Sequence, residues 1–360
     1  MPEFQALRRI VNASRDAARQ GGLPFSRQLL EMLVLKLVRD IGPNYYHVAR
    51  FWRRDIAFRD KWRHANDREY ARLLSAINPT EYRKASQHKV LEKATLSLFG
   101  IATPRFVGFF HSQRGGDHKG GPLCNAADLH RVLTAFAGQR ICFKAVEGWG
   151  GRSFAALNIA ADASSVQHPI SGQRWALAEW AKKLLHATDG WLLEEYLQQH
   201  PDIAAINASS VNTLRIWVLE QQGDFRARHA ILRVGRAGSQ VDGHRSGGFA
   251  CVVDMTTGRL HAGLDLRRPH QPILQHPDTG VELPGRMVPF WLEAQALGAK
   301  AVSVFPRMRF AGIDVAITAT GPVMIELNVF PNRISAVRWD LPHKDFFDPA
   351  LHVTSEVKRG

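Results

Sequence analysis

The segment from Phe310 to Asn332, FAGIDVAITATGPVMIELNVFPN, constrains the fold of this chain more than any other. It holds two apolar, β-rich runs, Ile313 to Thr318 and Pro322 to Leu327. Between them Ala319-Thr320-Gly321 suits a three-residue hairpin loop with glycine at the left-handed position. Folded back in this way, the segment sets Asp314 opposite Glu326. Directly opposed Cβ atoms of an antiparallel pair lie roughly 4.5–5.5 Å apart, and Glu326 and Asn328, two residues apart, share one face of their strand. Three hard oxygen donors therefore converge. Two carboxylates held that close repel unless one is protonated or a cation lies between them, and Mg2+ takes a few carboxylate oxygens together with substrate phosphates. The expected ligand is a magnesium nucleotide, with Asp314, Glu326 and Asn328 on the metal. A Glu-x-Asn after an apolar run also arises as a solvated strand end, so the hairpin needs support from elsewhere in the chain.

That support lies upstream in ICFKAVEGWGGRSF, residues 141–154, where a short apolar strand carries Lys144 and runs into Gly148-Trp149-Gly150-Gly151. Backbone amides freed by glycine cradle phosphate oxygens. The lysine precedes the glycines and comes off a strand, unlike the lysine of a P-loop, and the glycine spacing is not that of a dinucleotide fold. The bland alternative is a hairpin with a lysine whose stem is buried and whose head reaches water.

A strand lysine, a glycine-rich loop and a distant acidic hairpin ending Glu-x-Asn, in that order, resemble the ATP-grasp superfamily. Within it the chain is most similar to the sugar-transfer associated ATP-grasp family, through Ser86-Gln87-His88-Lys89 with Gly100-Ile101-Ala102-Thr103-Pro104, Val211-Asn212-Thr213-Leu214-Arg215-Ile216, Ser246-Gly247-Gly248 and His276-Pro277-Asp278-Thr279-Gly280. The resemblance spans about residues 80–340. It implies an α+β fold in which two α+β subdomains clasp ATP, preceded here by a helical N-terminal region. It makes Lys89 and Lys144 the lysines on the α- and β-phosphates, and the loop of Gly148, Gly150, Gly151 and Arg152 a flap over the γ-phosphate. Glu194, Glu195 and Tyr196 would line the adenine, with Glu194 accepting from its exocyclic amine. The ribose contact stays open among Gln198, Gln199, His200 and Asp202. Arg215, mid-strand among apolar neighbours, would face the γ-phosphate or an acyl-phosphate, the alternative being a structural carboxylate. Arg333, His244 and Arg245 are candidates for the acceptor. The activity implied is an ATP- and Mg2+-dependent ligase joining a carboxylate to an amine through an acyl-phosphate, with Lys144 and Arg215 stabilising the transferred charge and a saccharide or its precursor as a substrate class. A kinase acting on a hydroxyl keeps the same fold, and a basic polyanion-binding protein with a vestigial nucleotide site is the reading from another class.

Composition bears on the alternatives. The chain has 360 residues, 45% hydrophobic, enough for a large core in two or three subdomains. The motifs divide it into a helical accessory region at 1–80, the first part of the ATP-grasp unit at 81–140, a glycine-loop subdomain at 141–197, a metal and acceptor subdomain at 198–345 and a tail at 346–360. Helices are expected from Ser26, as the cap, to Gly42-Pro43, from about Tyr45 to Asn78, over Lys89–Leu98, Trp175–His186 and Trp291–Ala301, with a strand at Phe106–Phe110. No apolar run reaches the roughly 18 residues of a membrane span, and the charged first twenty residues do not read as a secretory signal, so a cytoplasmic protein is expected. Cys124, Cys142 and Cys251 form no disulfide or zinc pattern. The formal charge of +14 exceeds what a nucleotide requires. It leaves room for peripheral contact with an anionic membrane or polysaccharide, while no nucleic-acid module accompanies the basic and aromatic cluster of residues 50–72, and no stable nucleic-acid partner is expected.

Overall fold

The structure, a computed structural model, describes residues 2–148 and 153–348. Seven helices precede the first strand: α1 (Pro2–Arg19), α2 (Phe25–Arg39), α3 (Pro43–Val48), α4 (Phe58–Trp62), α5 (Asp67–Ile77), α6 (Arg83–Gln87) and α7 (Lys89–Leu98). The single helix expected from Tyr45 to Asn78 is three. Arg50 adopts a left-handed φ of 54° just after α3, and Asn66 opens α5 with a capping box, accepting from the Glu69 amide while Glu69 accepts from its own. Ser26 is not the cap of α2, whose N-cap is Pro24; the helix ends where Asp40 turns left-handed, before Gly42-Pro43.

The remaining elements form two antiparallel sheets of seven strands. The first holds β1 (Phe106–Phe110), β2 (Gly116–Asp117), β3 (Arg140–Ala145), β4 (Phe154–Ile159), β5 (Ser165–Gln167), β6 (Arg174–Ala176) and β7 (Trp191–Glu195), in the order β2-β1-β7-β3-β4-β5-β6. Helices α8 (Ala126–Thr134) and α9 (Leu177–Leu184) cover it, burying Leu129, Leu133, Trp180 and Leu184 against Phe143 and Leu193. Because β1 pairs with β7, and β7 with β3, residues on either side of the expected 140/141 boundary share one sheet.

After the short α10 (Pro201–Ala204), the second sheet takes in β8 (Thr213–Gln221), β9 (Asp224–Val234), β10 (Phe249–Val253), β11 (Leu260–Leu264), β12 (Pro272–Ile273), β13 (Phe310–Thr318) and β14 (Gly321–Asn328), in the order β12-β11-β10-β9-β8-β13-β14. One face is covered by α11 (Trp291–Ser303), where Gly298 lets the helix close on Ile313: a Cβ there would lie 2.5 Å from the Ile313 Cδ1. The other face receives the N-terminal helices. Trp217, Phe310 and Phe347 pack with Tyr70 and Leu74, and the Asn78 amide donates to the Phe310 carbonyl while accepting from the Arg309 and Phe310 amides. The helical region is thus part of the second sheet's core rather than an appendage.

Imidazoles fill this junction. His64 and His343 meet edge to face at 5.3 Å, and His343 Nδ1 accepts from the Ala65 amide. Burial holds His64 near a pKa of about 2 and His47, His229 and His343 near about 4. Groups whose folded pKa lies below the ordinary 6.5 contribute stability above that value and lose it as pH falls toward the folded pKa. Between pH 6.5 and 5 each surrenders up to about 2 kcal/mol. Glu92 and Asp242, pushed upward by burial, act in the opposite sense, two groups against four. The melting temperature should therefore fall as pH drops from 7 to 5, well before acidic pairs are protonated; a flat profile in a thermal scan would contradict a neutral, buried histidine cluster.

Candidate nucleotide and metal site

Asp314 pairs with Glu326 across β13 and β14, the register expected from the sequence. The extra residue sits elsewhere, however. Thr318 pairs with Gly321, leaving a two-residue loop, and the ladder shifts at Ile325, between the Val315–Met324 and Asp314–Glu326 pairs. A bulge there, rather than a longer turn, aims Glu326 and Asn328, as bulges beside functional sites commonly do.

The three expected metal ligands differ in their surroundings. Asp314 is 1% exposed and its carboxylate is held by Arg215 from β8 and by Arg233 from β9, whose Nη2 atoms each lie 2.9 Å from Oδ2. Burial works against its charge, yet the two guanidiniums outweigh it and hold the carboxyl below its usual range. Arg215 thus meets Asp314, the structural carboxylate that stood as the alternative to a phosphate. Glu326 remains half-open, 3.7 Å from the Lys89 ammonium, and Asn328 Nδ2 is buried with no hydrogen-bond partner. Since amide nitrogen and oxygen are assigned rather than seen, that orphan position equally suits Oδ1 turned toward a cation. Glu326 and Asn328 therefore fit Mg2+, and Asp314 joins them only by releasing an arginine. Among the described residues no three His, Cys, Asp or Glu side chains converge as a ready-made metal cage.

The phosphate lysines are placed by α7 and β3. Lys89 Nζ donates to the Gly148 carbonyl at 3.2 Å while facing Glu326, so one side chain meets both the edge of the glycine loop and β14. Lys144 Nζ lies 2.6 Å from Glu194 Oε2, and Lys93 Nζ lies 2.6 Å from Oε1 of the same carboxylate. Burial would raise the Glu194 pKa, but Lys144 and then Lys93 pull it down. Its side chain is thereby committed to two lysines rather than free to accept from an adenine amine as expected. Glu195 pairs with Arg105 at 3.0 Å, and Arg140 lies over the Tyr196 ring at 4.8 Å. Lys89, Lys93, Lys144, Glu194, Met324 and Ile325 line one cleft between the two sheets. Gly148 meets the cleft only through Lys89; Gly150, Gly151 and Arg152, expected in the flap, lie outside the described residues.

The acceptor candidates separate. Arg333 pairs with Asp67, donates to the Ala65 carbonyl at 3.2 Å and packs on the Tyr45 ring at 4.2 Å, so it fastens the N-terminal helices instead of facing a substrate. His244 stands 3.7 Å from Asp265, and Arg245 is exposed. Gln199 is consumed by the Asn207 and Ser210 carbonyls and by Asn212, which removes it as a ribose ligand.

Four residues escaped sequence reasoning. Lys93 is one helical turn beyond Lys89 and on the same face, a signal that was available. Arg233 follows an apolar run, the same signature as Arg215. Glu92 bonds the Leu327 amide at 2.8 Å and has its other oxygen unpartnered; burial, and then Glu326, raise its pKa well above the carboxylate range. Arg338 had no local signal. Its Nε is buried without a partner, and burial, then Arg233, Arg215 and Arg50, lower its pKa to about 10.

The family profile described as sugar-transfer associated ATP-grasp matches residues 68–338. The chain belongs to this family. Among solved structures, the ATP-grasp chain resembles N5-carboxyaminoimidazole synthase from Aspergillus clavatus with ADP and 5-aminoimadazole ribonucleotide, at 11% identity and TM-score 0.45, covering 79% of this chain and 58% of that one. It also resembles the L-amino acid ligase from Bacillus licheniformis, at 13% identity and TM-score 0.38, covering 68% and 41%. A third is the ATP-grasp ligase PsnB with a phosphomimetic variant of its minimal precursor, Mg and ADP, at 14% identity and TM-score 0.40, covering 75% and 59%. The chain spans less than two thirds of the length of each of these structures. A search of curated proteins gave no match.

Asp314→Asn would leave Arg215 and Arg233, both half-buried, against a neutral amide, with only Arg233 keeping a second carboxylate, Asp242 at 3.3 Å. A loss of about 3–5 kcal/mol of stability is expected, read by urea denaturation; a change below 1 kcal/mol on the same titration would show that the arginines do not depend on this carboxylate.

Proposed function

We propose that this ATP-grasp protein is an ATP- and Mg2+-dependent ligase that joins a carboxylate to an amine. The observation that carries the reading is the position of Lys89, which bonds the Gly148 carbonyl and faces Glu326. One ammonium spans the loop edge and the metal strand, where a triphosphate bridging the two sheets would lie.

In this reading Lys89 and Lys144 bind the phosphates of ATP, with Glu194 holding Lys144, and Lys93 beside it, in position from behind. Glu326 and Asn328 hold Mg2+, joined by Asp314 when Arg215 turns to phosphate. When bound, Mg2+ neutralises charge developing between the β- and γ-phosphoryl oxygens. The acceptor carboxylate oxygen attacks the γ-phosphorus, the bond to the β–γ bridging oxygen breaks, and ADP leaves. Arg215 and Arg233 counter the charge of the transferred phosphoryl group. The amine nitrogen then attacks the acyl carbon, the carbon–oxygen bond breaks, and inorganic phosphate departs as the amine proton passes to solvent. Arg338 supports an anionic acid substrate, because it is half-buried with its Nε buried and unpartnered, a position that an anion would satisfy. The family description favours a saccharide, or a precursor of one, as the carrier of the acid or the amine.

Calorimetric titration of ATP into wild type and Glu326→Ala, with and without Mg2+, tests the nucleotide site. Metal-dependent binding in wild type and its loss in the variant are expected; absence of binding in both would leave the basic polyanion-binding reading. A screen of acids and amines then follows released phosphate. Phosphate that appears only when both substrates are present supports ligation, whereas a stable phosphorylated acceptor formed without amine indicates a kinase.

For the productive acid, Arg338→Met should raise KM by about 10- to 100-fold, the magnitude of one charge-assisted hydrogen bond, with ATP affinity unchanged. An unaltered KM would place the acid elsewhere.

A further inference from the structure

Helix α2 is folded inside out. It buries Gln28, Glu31, Met32 and Leu35, two of them polar, and gives both of those hydrogen-bond partners, although Gln28 Oε1 has none. The Gln28 amide donates to the Ser14 and Leu23 carbonyls at 3.1 and 2.7 Å, and Glu31 receives Lys61 at 2.7 Å and the Tyr46 hydroxyl at 2.9 Å. The opposite face carries aliphatic side chains into solvent: Leu30 is 61% exposed, Leu33 55%, Leu37 75% and Val38 64%. The spacing 30, 33, 37 makes a continuous stripe on an α-helix. Burying these leucines and exposing the glutamine and glutamate would have been the ordinary arrangement, so an apolar face turned outward and held there by buried polar contacts points to something outside the chain.

The surroundings of the stripe are basic. Arg27 and Lys36 flank it with more than half of each side chain exposed, and Arg8, Arg9, Arg15 and Arg19 are exposed on the adjacent α1, with Arg15 over the Phe25 ring at 5.6 Å. The first 72 residues hold fifteen basic and eight acidic side chains. We propose that α2 lies flat on an anionic lipid bilayer, with Leu30, Leu33 and Leu37 at the acyl boundary and the arginines of α1 on the headgroups. No helix among the described residues is long and apolar enough to cross a membrane, and a short helix with an aliphatic face and a basic rim lies in the interface instead of spanning it. Charge also disfavours a second copy as the occupant. Two such surfaces would bring together chains of formal charge +14, and the stripe has none of the aromatic anchors on which protein interfaces depend.

The test is co-sedimentation of the full chain with vesicles of phosphatidylcholine alone and of phosphatidylcholine mixed equally with phosphatidylglycerol, comparing wild type, Leu33→Gln/Leu37→Gln and Glu326→Ala. Wild type and Glu326→Ala should bind the anionic vesicles alike, which separates this surface from the nucleotide site. The double variant should bind about tenfold more weakly or worse, with an unchanged melting temperature, and high salt should weaken wild-type binding. Equal binding by the double variant, absence of binding by wild type, or equal binding to neutral vesicles would overturn the proposal. So would a wild-type dimer in sedimentation velocity that the double variant converts to monomer, since a second copy would then cover the stripe.

Discussion

A carboxylate between two arginines is buried on the penultimate strand of the second sheet, and much of the site depends on it. Asp314 is buried where β8, β9, β13 and β14 run side by side, and it is affordable there only because Arg215 and Arg233 approach from the neighbouring strands. The pairing sets Arg215 beside Asp314 in register and Glu326 on its other side. Asp314 thus stands between the two arginines and the strand that carries Glu326 and Asn328, beside the bulge at Ile325.

The first sheet has a matching arrangement with the same signs, lysines standing in place of arginines. Glu194 is the buried anion, held by Lys144 from its own sheet and by Lys93 from α7. Helix α7 joins the two centres, for Lys89 faces Glu326 and Glu92 bonds the Leu327 amide. Two sheets with separate cores are thus connected by one helix that supplies a cation to each. That helix and the first sheet line the cleft with charged side chains.

Much of this was legible locally. Lys144 and the Asp314–Glu326 register follow from alternation and glycine placement, signals carried within about ten residues, whereas Lys89 follows only from the family resemblance of its motif. The bulge at Ile325 was legible as one surplus residue but not in position, because a longer turn and a bulge give the same register at Asp314. Arg333 was misread for a physical reason: its place after the metal strand resembles an acceptor site, but Asp67 and Tyr45, more than 250 residues earlier, claim it. Glu194 was misread similarly, as the lysine on α7 that occupies its second oxygen comes from another part of the chain.

The sequence by itself determined the family, the order of the chemistry-bearing motifs and the residues of the acidic hairpin, since each rests on near neighbours along the backbone. Tertiary structure alone decided which charges are already paired and which are left open. Arg215 is satisfied by Asp314 and Glu194 by two lysines, while Asn328, Glu92 and Arg338 retain buried atoms without partners. It also decided that α2 shows leucines to solvent and hides Gln28 and Glu31. Burial and pairing are sums over elements distant in sequence, and the cost of an unpaired polar atom exists only once those elements have excluded water from it.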